Sequence, residues 1–232
     1  LPEVMLTSMG DQVLQFNDGV KFANAPYTIG TYAHAPHIGD EGRPSTGWHA
    51  EFGDIDNDGR LDLFIAKGNV DQMPSNAMRD PNNLLMQLQD GTFAERAANA
   101  GVASQDRSRG AALVDLDLDG RLDIVVVNRR APMELWHNVT KHTGNWLHVS
   151  ARQDAPNRSA VGAWIEVQTE GSAAAREVTI GGGHAGGALG GIHFGLGEAE
   201  WADVRVIWPD GVGAGWARYR ANQRVTVDRA AD

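Results

Sequence analysis

Short apolar runs and acidic segments alternate along residues 1–142. Apolar runs at 48–53 and 111–114 each precede a row of regularly spaced aspartates, and runs at 63–66 and 124–127 each follow one. These runs are rich in β-branched and aliphatic residues, which favours strands. The pattern predicts a unit of strand, acidic loop and strand that occurs twice.

A second repeated element, at residues 13–19 and 84–91, ends in Asp-Gly and is followed by a phenylalanine. It predicts a strand, a hairpin turn and a further strand. A shorter copy at 134–138 follows the second acidic loop. Units of this kind stack radially, so the sequence predicts a partial β-propeller. Residues 1–22 match only the end of a unit, and we therefore expect the propeller to be open.

From residue 145 onwards the chain predicts strands that are not separated by acidic loops. Turn signals such as Trp208-Pro209-Asp210-Gly211 separate them, as in an antiparallel β-sandwich. We therefore expect an all-β protein with a propeller part, residues 1–142, and a sandwich-like domain, residues 143–232. The strands expected in the second domain are 146–151, 163–169, 177–180, 191–194, 204–208 and 225–227.

The two acidic segments have the spacing of a cation-binding loop. Carboxylates at positions 1, 3, 5 and 9, with a turn-forming glycine at position 6, bend the backbone around one point and direct oxygens towards it. Hard oxygen ligands suit Ca²⁺, and the carbonyl of position 7 adds one more. We predict two Ca²⁺ ions, bound by Asp54, Asp56, Asp58, Arg60 and Asp62 and by Asp115, Asp117, Asp119, Arg121 and Asp123.

Several alternatives compete with these calcium loops. An EF-hand needs a glutamate at position 12 and flanking helices, but position 12 is Ile65 in one loop and Val126 in the other. Mg²⁺ is disfavoured because it prefers a tight octahedron that keeps several waters. Two alternatives stay open, namely acidic turns that are merely solvated, and ions that only brace the scaffold.

Charge and cysteine content exclude several functions. Lys and Arg number 20 against 30 Asp and Glu, and the net charge of −10 repels nucleic acid and anionic lipids. The sequence has no cysteine, which excludes disulfides and thiolate sites, and no apolar run is long enough for membrane insertion. Because the chain opens at Leu1 without an initiator Met or a signal sequence, we expect a processed product or a piece of a longer protein.

The acidic loops resemble the FG-GAP or VCBS repeats of integrin-type propellers, with Phe52-Gly53 before the first loop but Leu113-Val114 before the second. Residues 145–230 resemble the ASPIC/UnbV domain, and the two together are similar to the cartilage acidic protein family. The chain departs from many relatives at His184-Ala185-Gly186-Gly187, where they carry a Tyr and a Ser-Gln pair. The resemblance implies calcium binding and a secreted setting, extracellular or periplasmic, and it implies no established reaction. The motifs of the second domain are Asn145-Trp146-Leu147, Asn157-Arg158, Gly162-Ala163, Arg176-Glu177-Val178, His193-Phe194-Gly195-Leu196-Gly197 and Trp208-Pro209-Asp210-Gly211.

Other residues give weaker signals. His34 and His37 are close enough in sequence to hold zinc or copper, while His184 and His193 either meet across a hairpin or are hydrogen-bonded structural histidines. The glycine-rich segment 181–187 lacks the Lys-Ser or Lys-Thr of a phosphate loop. Because no catalytic constellation is identified, we do not expect an enzyme.

We therefore expect a calcium-binding module with a binding or adhesion role, whose protein or carbohydrate partner contacts the long loops expected at 23–46 and 71–82. The alternatives are a polysaccharide-active enzyme on a propeller scaffold and a purely structural segment of a larger secreted protein. A homodimer or missing blades would cover the open edge of the propeller.

Overall fold

The computed structural model describes residues 2–32 and 42–229, and the regular structure of these residues is almost entirely β. Their one α-helix, α1, is the single turn Ala97–Ala100. No helix in the described part is long and apolar enough to cross a membrane. The predicted all-β class is confirmed. The strands are β1 Val4–Leu6, β2 Val13–Asn17, β3 Phe22–Asn24, β4 Gly47–Gly53, β5 Asp62–Lys67, β6 Asn83–Gln87, β7 Phe93–Glu95, β8 Ser108–Val114, β9 Asp123–Asn128, β10 Glu134–Trp136, β11 Asn145–Arg152, β12 Trp164–Gln168, β13 Ala173–Glu177, β14 Ile192–Gly197, β15 Trp201–Ile207, β16 Ala217–Arg220 and β17 Gln223–Asp228.

The first ten strands form three antiparallel sheets, in the orders β1-β2-β3, β4-β5-β6-β7 and β8-β9-β10. The first acidic loop connects β4 to β5, and the second connects β8 to β9. The flanks of both loops are therefore strands, which rules out the helix-loop-helix of an EF-hand. β4 packs beside β8. This arrangement is consistent with the predicted partial propeller.

β5 shows why its apolar run in the sequence is unbroken. Leu63 and Ile65 pack between the first and second sheets, whereas Phe64 and Ala66 pack between the second and third. Successive side chains of a strand point to opposite faces, so a strand with a sheet on each side is apolar at every position. The stacking of the three sheets is thus encoded in this one run.

The last seven strands form two sheets, in the orders β14-β11-β17 and β13-β12-β15-β16. Their inner faces share a core that includes Leu147, Val149, Ile165, Val204 and Val206. All pairings are antiparallel except that of β11 with β17, which is parallel. Two sheets around one core agree with the predicted sandwich-like domain. Its boundary at residue 143 stays a prediction.

Two expected elements differ in the structure. The strand predicted at 177–180 is wrong, because β13 occupies Ala173–Glu177 directly after the turn in which the Thr169 N–H donates to the Ser172 carbonyl at 2.9 Å. Alanines have little strand propensity, so the sequence pattern does not indicate a strand at 173–177. The loop expected at 23–46 begins inside β3 and includes a 3₁₀ turn at Tyr27–Ile29, whereas the loop expected at 71–82 contains no strand or helix.

A buried ion pair fixes the base of that second loop. The Lys67 ammonium and an Asp80 carboxylate oxygen are 3.0 Å apart, and both side chains are fully buried. The same carboxylate accepts hydrogen bonds from the Ser45 hydroxyl at 2.7 Å and from the Thr46 N–H at 2.7 Å. A buried charge is tolerated only when it is paired and hydrogen-bonded, as it is here.

We predict that Asp80→Ala lowers the free energy of unfolding by about 3–5 kcal/mol, because it leaves the Lys67 ammonium buried without its carboxylate. Urea unfolding monitored by tryptophan fluorescence measures the loss. Asp203→Ala is the matched control, since the ion pair of Asp203 with Arg218 is exposed and its loss should change stability little. Equal losses in the two variants would contradict this role of the buried pair.

Candidate metal centres and their junction

The two acidic loops follow the same backbone path. At position 4, Asn57 and Leu118 both adopt the left-handed conformation, with φ of 61° and 66°. At position 6, Gly59 and Gly120 do the same, with φ of 88° and 86°. Left-handed residues at the same two positions turn each chain back on itself, so that alternate side chains point inwards.

The last aspartate of each loop ties it to a neighbouring strand. One Asp62 carboxylate oxygen accepts the Ile55 N–H at 2.9 Å, and the other accepts the Gln87 N–H at 2.8 Å. Asp123 repeats both bonds in the second loop, with the N–H groups of Leu116 at 3.1 Å and Asn138 at 2.8 Å. Position 9 therefore closes each loop and anchors the first loop to the third strand of its sheet, β6, and the second loop to the residues directly after β10.

The carboxylates at positions 1, 3 and 5 converge in both loops. Each of the two groups offers three oxygens that lie within 4.8 Å of one another, and these groups are Asp54, Asp56 and Asp58 in the first loop and Asp115, Asp117 and Asp119 in the second. Six of the predicted ligands are thus brought together as expected. Asp62 is not part of the first group, while Asp123 forms a further group with Asp117 and His137.

The arginines at position 7 were predicted as carbonyl ligands, and that role stays a prediction. Their side chains have a role that the sequence did not suggest. The guanidinium of Arg60 pairs with Asp58, and that of Arg121 pairs with Asp119. The Nε atom of Arg121 also donates to the Asn138 carbonyl at 2.8 Å. Each arginine therefore offsets part of the charge at position 5.

Burial disfavours uncompensated negative charge on the aspartates of the first loop. It raises the pKa of Asp54 to about 7, with the Asp62 and Asp56 carboxylates adding to the effect. Burial likewise raises the pKa of Asp62 to about 7 and raises the pKa of Asp56. One buried carboxylate oxygen in each loop, Oδ1 of Asp56 and Oδ1 of Asp115, has no hydrogen-bond partner. Buried carboxylate oxygens normally have a partner, and a bound cation is one kind of partner that such an oxygen can have.

Asn57 joins the two loops to the second domain. Its side chain is fully buried, and its amide nitrogen donates to the Gly120 carbonyl of the second loop at 2.9 Å. Its amide oxygen accepts from Nε2 of His193 on β14 at 2.7 Å. Its backbone carbonyl accepts from the Gly197 N–H at 2.9 Å. One residue of the first loop thus contacts both other parts of the junction.

Close backbone approach at this junction requires glycine. A Cβ atom at Gly195 would lie 1.8 Å from a carboxylate oxygen of Asp54, and one at Gly144 would lie 2.0 Å from the Asn57 carbonyl oxygen. A Cβ atom at Gly120 would lie 1.9 Å from the Trp146 ring. The glycine of the His-Phe-Gly-Leu-Gly motif at Gly195 is therefore explained by contact with the first acidic loop.

The imidazole of His193 is neutral at physiological pH. Burial lowers its pKa to about 3, and the neighbouring His148, Arg176 and Arg224 contribute in the same direction. Because the Asn57 amide nitrogen already donates to Gly120, the amide oxygen faces His193, and Nε2 must carry the proton. The interface is therefore built for the uncharged ring.

We predict that acid weakens the folded state through His193. Its folded pKa lies below its unfolded value near 6.5, so the unfolded chain binds more protons, and stability falls as the pH drops below about 6.5. The variant His193→Gln keeps a donor for Asn57 without titrating. Unfolding at pH 7 and at pH 5 should show a larger loss in the wild type than in the variant. Equal losses in both proteins would contradict the prediction.

The other predicted histidine sites have different outcomes. His34 and His37 lie outside the described residues. His184 and His193 do not meet across a hairpin, since His193 pairs across β14 and β11 with His148. The ring of His184 instead lies 4.8 Å from that of Trp48. The expectation that His193 is a hydrogen-bonded structural histidine is confirmed.

Sequence reasoning missed the roles of three residues, two at the junction and one beside the second acidic loop. Asn57 occupies a loop position with no ligand role, so the loop pattern does not single it out. Partly buried Arg176 donates to the Phe52 carbonyl at 3.1 Å and to the His193 carbonyl at 3.3 Å, and these partners are remote in sequence. His137 was recoverable, because it lies in the short copy at 134–138 of the element that also occurs at 84–91.

Comparison with known proteins agrees with this architecture. The family model described as "ASPIC and UnbV" matches residues 153–232. Cartilage acidic protein 1 of Homo sapiens is 29% identical over 162 residues, which are 68% of this chain and 24% of that protein. Cartilage acidic protein 1 of Xenopus tropicalis is 30% identical over 168 residues, 68% of this chain and 25% of that protein. The chain spans about a quarter of the length of these relatives. The predicted resemblance to the ASPIC/UnbV domain and to cartilage acidic proteins is confirmed, while that to FG-GAP repeats stays a prediction.

Proposed function

We propose that this chain, which has an ASPIC and UnbV domain at its C-terminal end and is similar to cartilage acidic protein 1, is a calcium-binding module of an extracellular or periplasmic protein. Two Ca²⁺ ions occupy the acidic loops. They fix the junction between the propeller part and the second domain, and the rigid surface so formed binds a protein or carbohydrate partner.

The unpaired carboxylate oxygens carry the calcium proposal. Asp56 Oδ1 and Asp115 Oδ1 are buried without a hydrogen-bond partner, each in a group of three converging carboxylates. The carboxylate groups offer only oxygen ligands. Ca²⁺ prefers oxygen ligands and tolerates a variable coordination number. Ion binding offsets the repulsion among the carboxylates and so favours the folded loop over the open one.

The position of the loops explains what the ions would stabilise. Asn57 lies between two proposed ligands and bonds to both the second loop and β14. The guanidinium of Arg224 on β17 lies 3.6 Å from the Asp115 carboxylate. Ordering the loops therefore also orders the contacts between the two parts of the chain.

We predict that saturating calcium raises the melting temperature. One ion at 100 times its dissociation constant contributes about 2.7 kcal/mol, which corresponds to about 5–10 °C for a chain of this size. Asp56→Ala and Asp117→Ala should each lose about half of the total increase. Differential scanning calorimetry with calcium and then with excess chelator measures these values.

Asp154→Ala is the control, because Asp154 is an exposed acid outside both loops. It should keep the full calcium-dependent increase. A wild-type melting temperature that is the same in calcium and in chelator, with no calcium found by elemental analysis, would refute the two structural ion sites.

A cleft beside the first loop is the surface that we assign to the partner. Its volume is about 880 Å³, within the range of ligand sites. One wall comes from the propeller part and includes the loop itself, and the other is the outward face of β12, β13 and β15. The walls carry both aromatic rings and charged groups, which suits a carbohydrate or an extended peptide. Lining residues include Phe16, Phe52, Asp54, Arg60, Trp164, Glu166 and Arg205.

We predict that Trp164→Ala weakens partner binding at least tenfold, as the loss of a buried aromatic contact does in other interfaces. The measurement is a screen of glycans and extracellular proteins in calcium, repeated in chelator. Trp201→Ala is the matched control, because Trp201 is exposed on the same sheet but does not line the cleft. A hit that both variants bind alike would place the partner elsewhere, and a screen without hits in either condition would count against the binding role.

The alternative of a polysaccharide-active enzyme requires a titrating acid in a pocket away from both loops. Among the described residues, the carboxyl groups with a resolved rise in pKa are Asp54, Asp56 and Asp62, all of the first loop. No observation therefore favours the enzyme over the binding module.

A further inference from the structure

The second acidic loop has a nitrogen donor that the first loop does not have. Nδ1 of His137 lies 3.2 Å from an Asp123 carboxylate oxygen and 3.8 Å from an Asp117 carboxylate oxygen. The three side chains offer ligand atoms that all lie within 4.8 Å of one another. This group overlaps the triad of positions 1, 3 and 5 at Asp117, but its other two members, His137 and Asp123, lie outside that triad.

The internal repeat shows that His137 is specific to the second unit. The N–H of Gln87 bonds to Asp62, as that of Asn138 bonds to Asp123, so the preceding residues Met86 and His137 are equivalent. Met86 packs against the apolar core between the second and third sheets. The first loop thus has a thioether where the second has an imidazole.

The donor set of this group differs from that of a calcium loop. Ca²⁺ and Mg²⁺ prefer oxygen ligands, whereas an imidazole with two carboxylates suits Zn²⁺ and neighbouring transition metals. Ligands of a tetrahedral zinc ion, at about 2.0–2.1 Å from the metal, stand about 3.3 Å apart. The 3.2 Å and 3.8 Å separations at His137 are close to this value.

Access and support also suit a metal. His137 and Asp117 are about half exposed, at 52% and 50%, so an ion enters from solvent and keeps a water as its fourth ligand. The Asp123 carboxylate is 4% exposed and is held by the N–H groups of Leu116 and Asn138. Such bonds orient a ligand before the metal arrives. Asp115 Oδ1, in the neighbouring group that shares Asp117, is buried without a hydrogen-bond partner, which also favours an ion in this loop.

We infer that the two acidic loops differ in the cations they accept, and that the second loop binds a zinc-type ion through His137, Asp117 and Asp123. The inference rests on the proposed metal-binding role of the loops and extends it to a second class of ion. Zinc binds Nδ1 of the neutral imidazole, and the proton that otherwise lies on Nδ1 facing the Asp123 carboxylate moves through solvent to Nε2. Because Asp117 belongs to both groups, zinc lowers the calcium affinity of the second loop and leaves the first unchanged.

Reciprocal exchange of the two equivalent residues tests this inference. Zn²⁺ and Ca²⁺ are titrated separately by isothermal calorimetry into the wild type, His137→Met and Met86→His. Co²⁺ serves as an optical probe, since its visible absorption is strong when it is tetrahedrally coordinated. We expect one zinc ion on the wild type, at least a tenfold weaker zinc affinity in His137→Met, and unchanged calcium binding in that variant. Met86→His should gain zinc binding at the first loop.

The outcomes separate this inference from the proposed function. A zinc affinity that is the same in His137→Met and the wild type overturns the assignment of His137. A wild type that binds calcium but no zinc overturns the inference and leaves the calcium proposal intact. Zinc binding that depends on His137, in a protein that binds no calcium, supports the inference and removes the calcium role.

Discussion

The junction of this protein depends on the amide of Asn57, which is buried between three segments far apart in sequence. Its nitrogen and oxygen each have one partner, in the second acidic loop and on β14. An unpaired buried amide costs about 1–3 kcal/mol for each missing bond. The left-handed backbone that places the side chain there is tolerated by asparagine better than by most residues. The first acidic loop must therefore keep its conformation for these hydrogen bonds between the two parts of the chain to form.

The loop that must hold this shape also carries a concentration of negative charge. Four aspartates in one short turn repel one another, and burial beside β14 strengthens the repulsion. The loop path, the arginine at position 7 and the N–H groups that bond to Asp62 offset part of this cost. The divalent cation that we propose would offset the remainder, and the stability of the junction would then depend on the occupancy of the loops.

The sequence specified the fold class and the converging carboxylates, because both depend on local spacing. β-branched runs marked the strands around each loop, and positions 1, 3 and 5 came together as their alternation implied. It did not specify β13, whose alanines have little strand propensity. Neither did it reveal the contact of Asn57 with His193 or of Arg176 with Phe52, because hydrogen bonds between remote segments leave no periodic signal.

The parallel pairing of β11 with β17 has a consequence for synthesis of the protein. β11 opens the second domain and β17 closes it, and they pair from Leu147 with Gln223 to Arg152 with Asp228. Contacts between the ends of a domain form late, because the intervening chain must first be ordered. During synthesis on the ribosome, the edge of β11 that pairs with β17 stays unpaired until β17 emerges. An unpaired strand edge favours pairing with other chains, so aggregation of the nascent chain is most favoured during this interval.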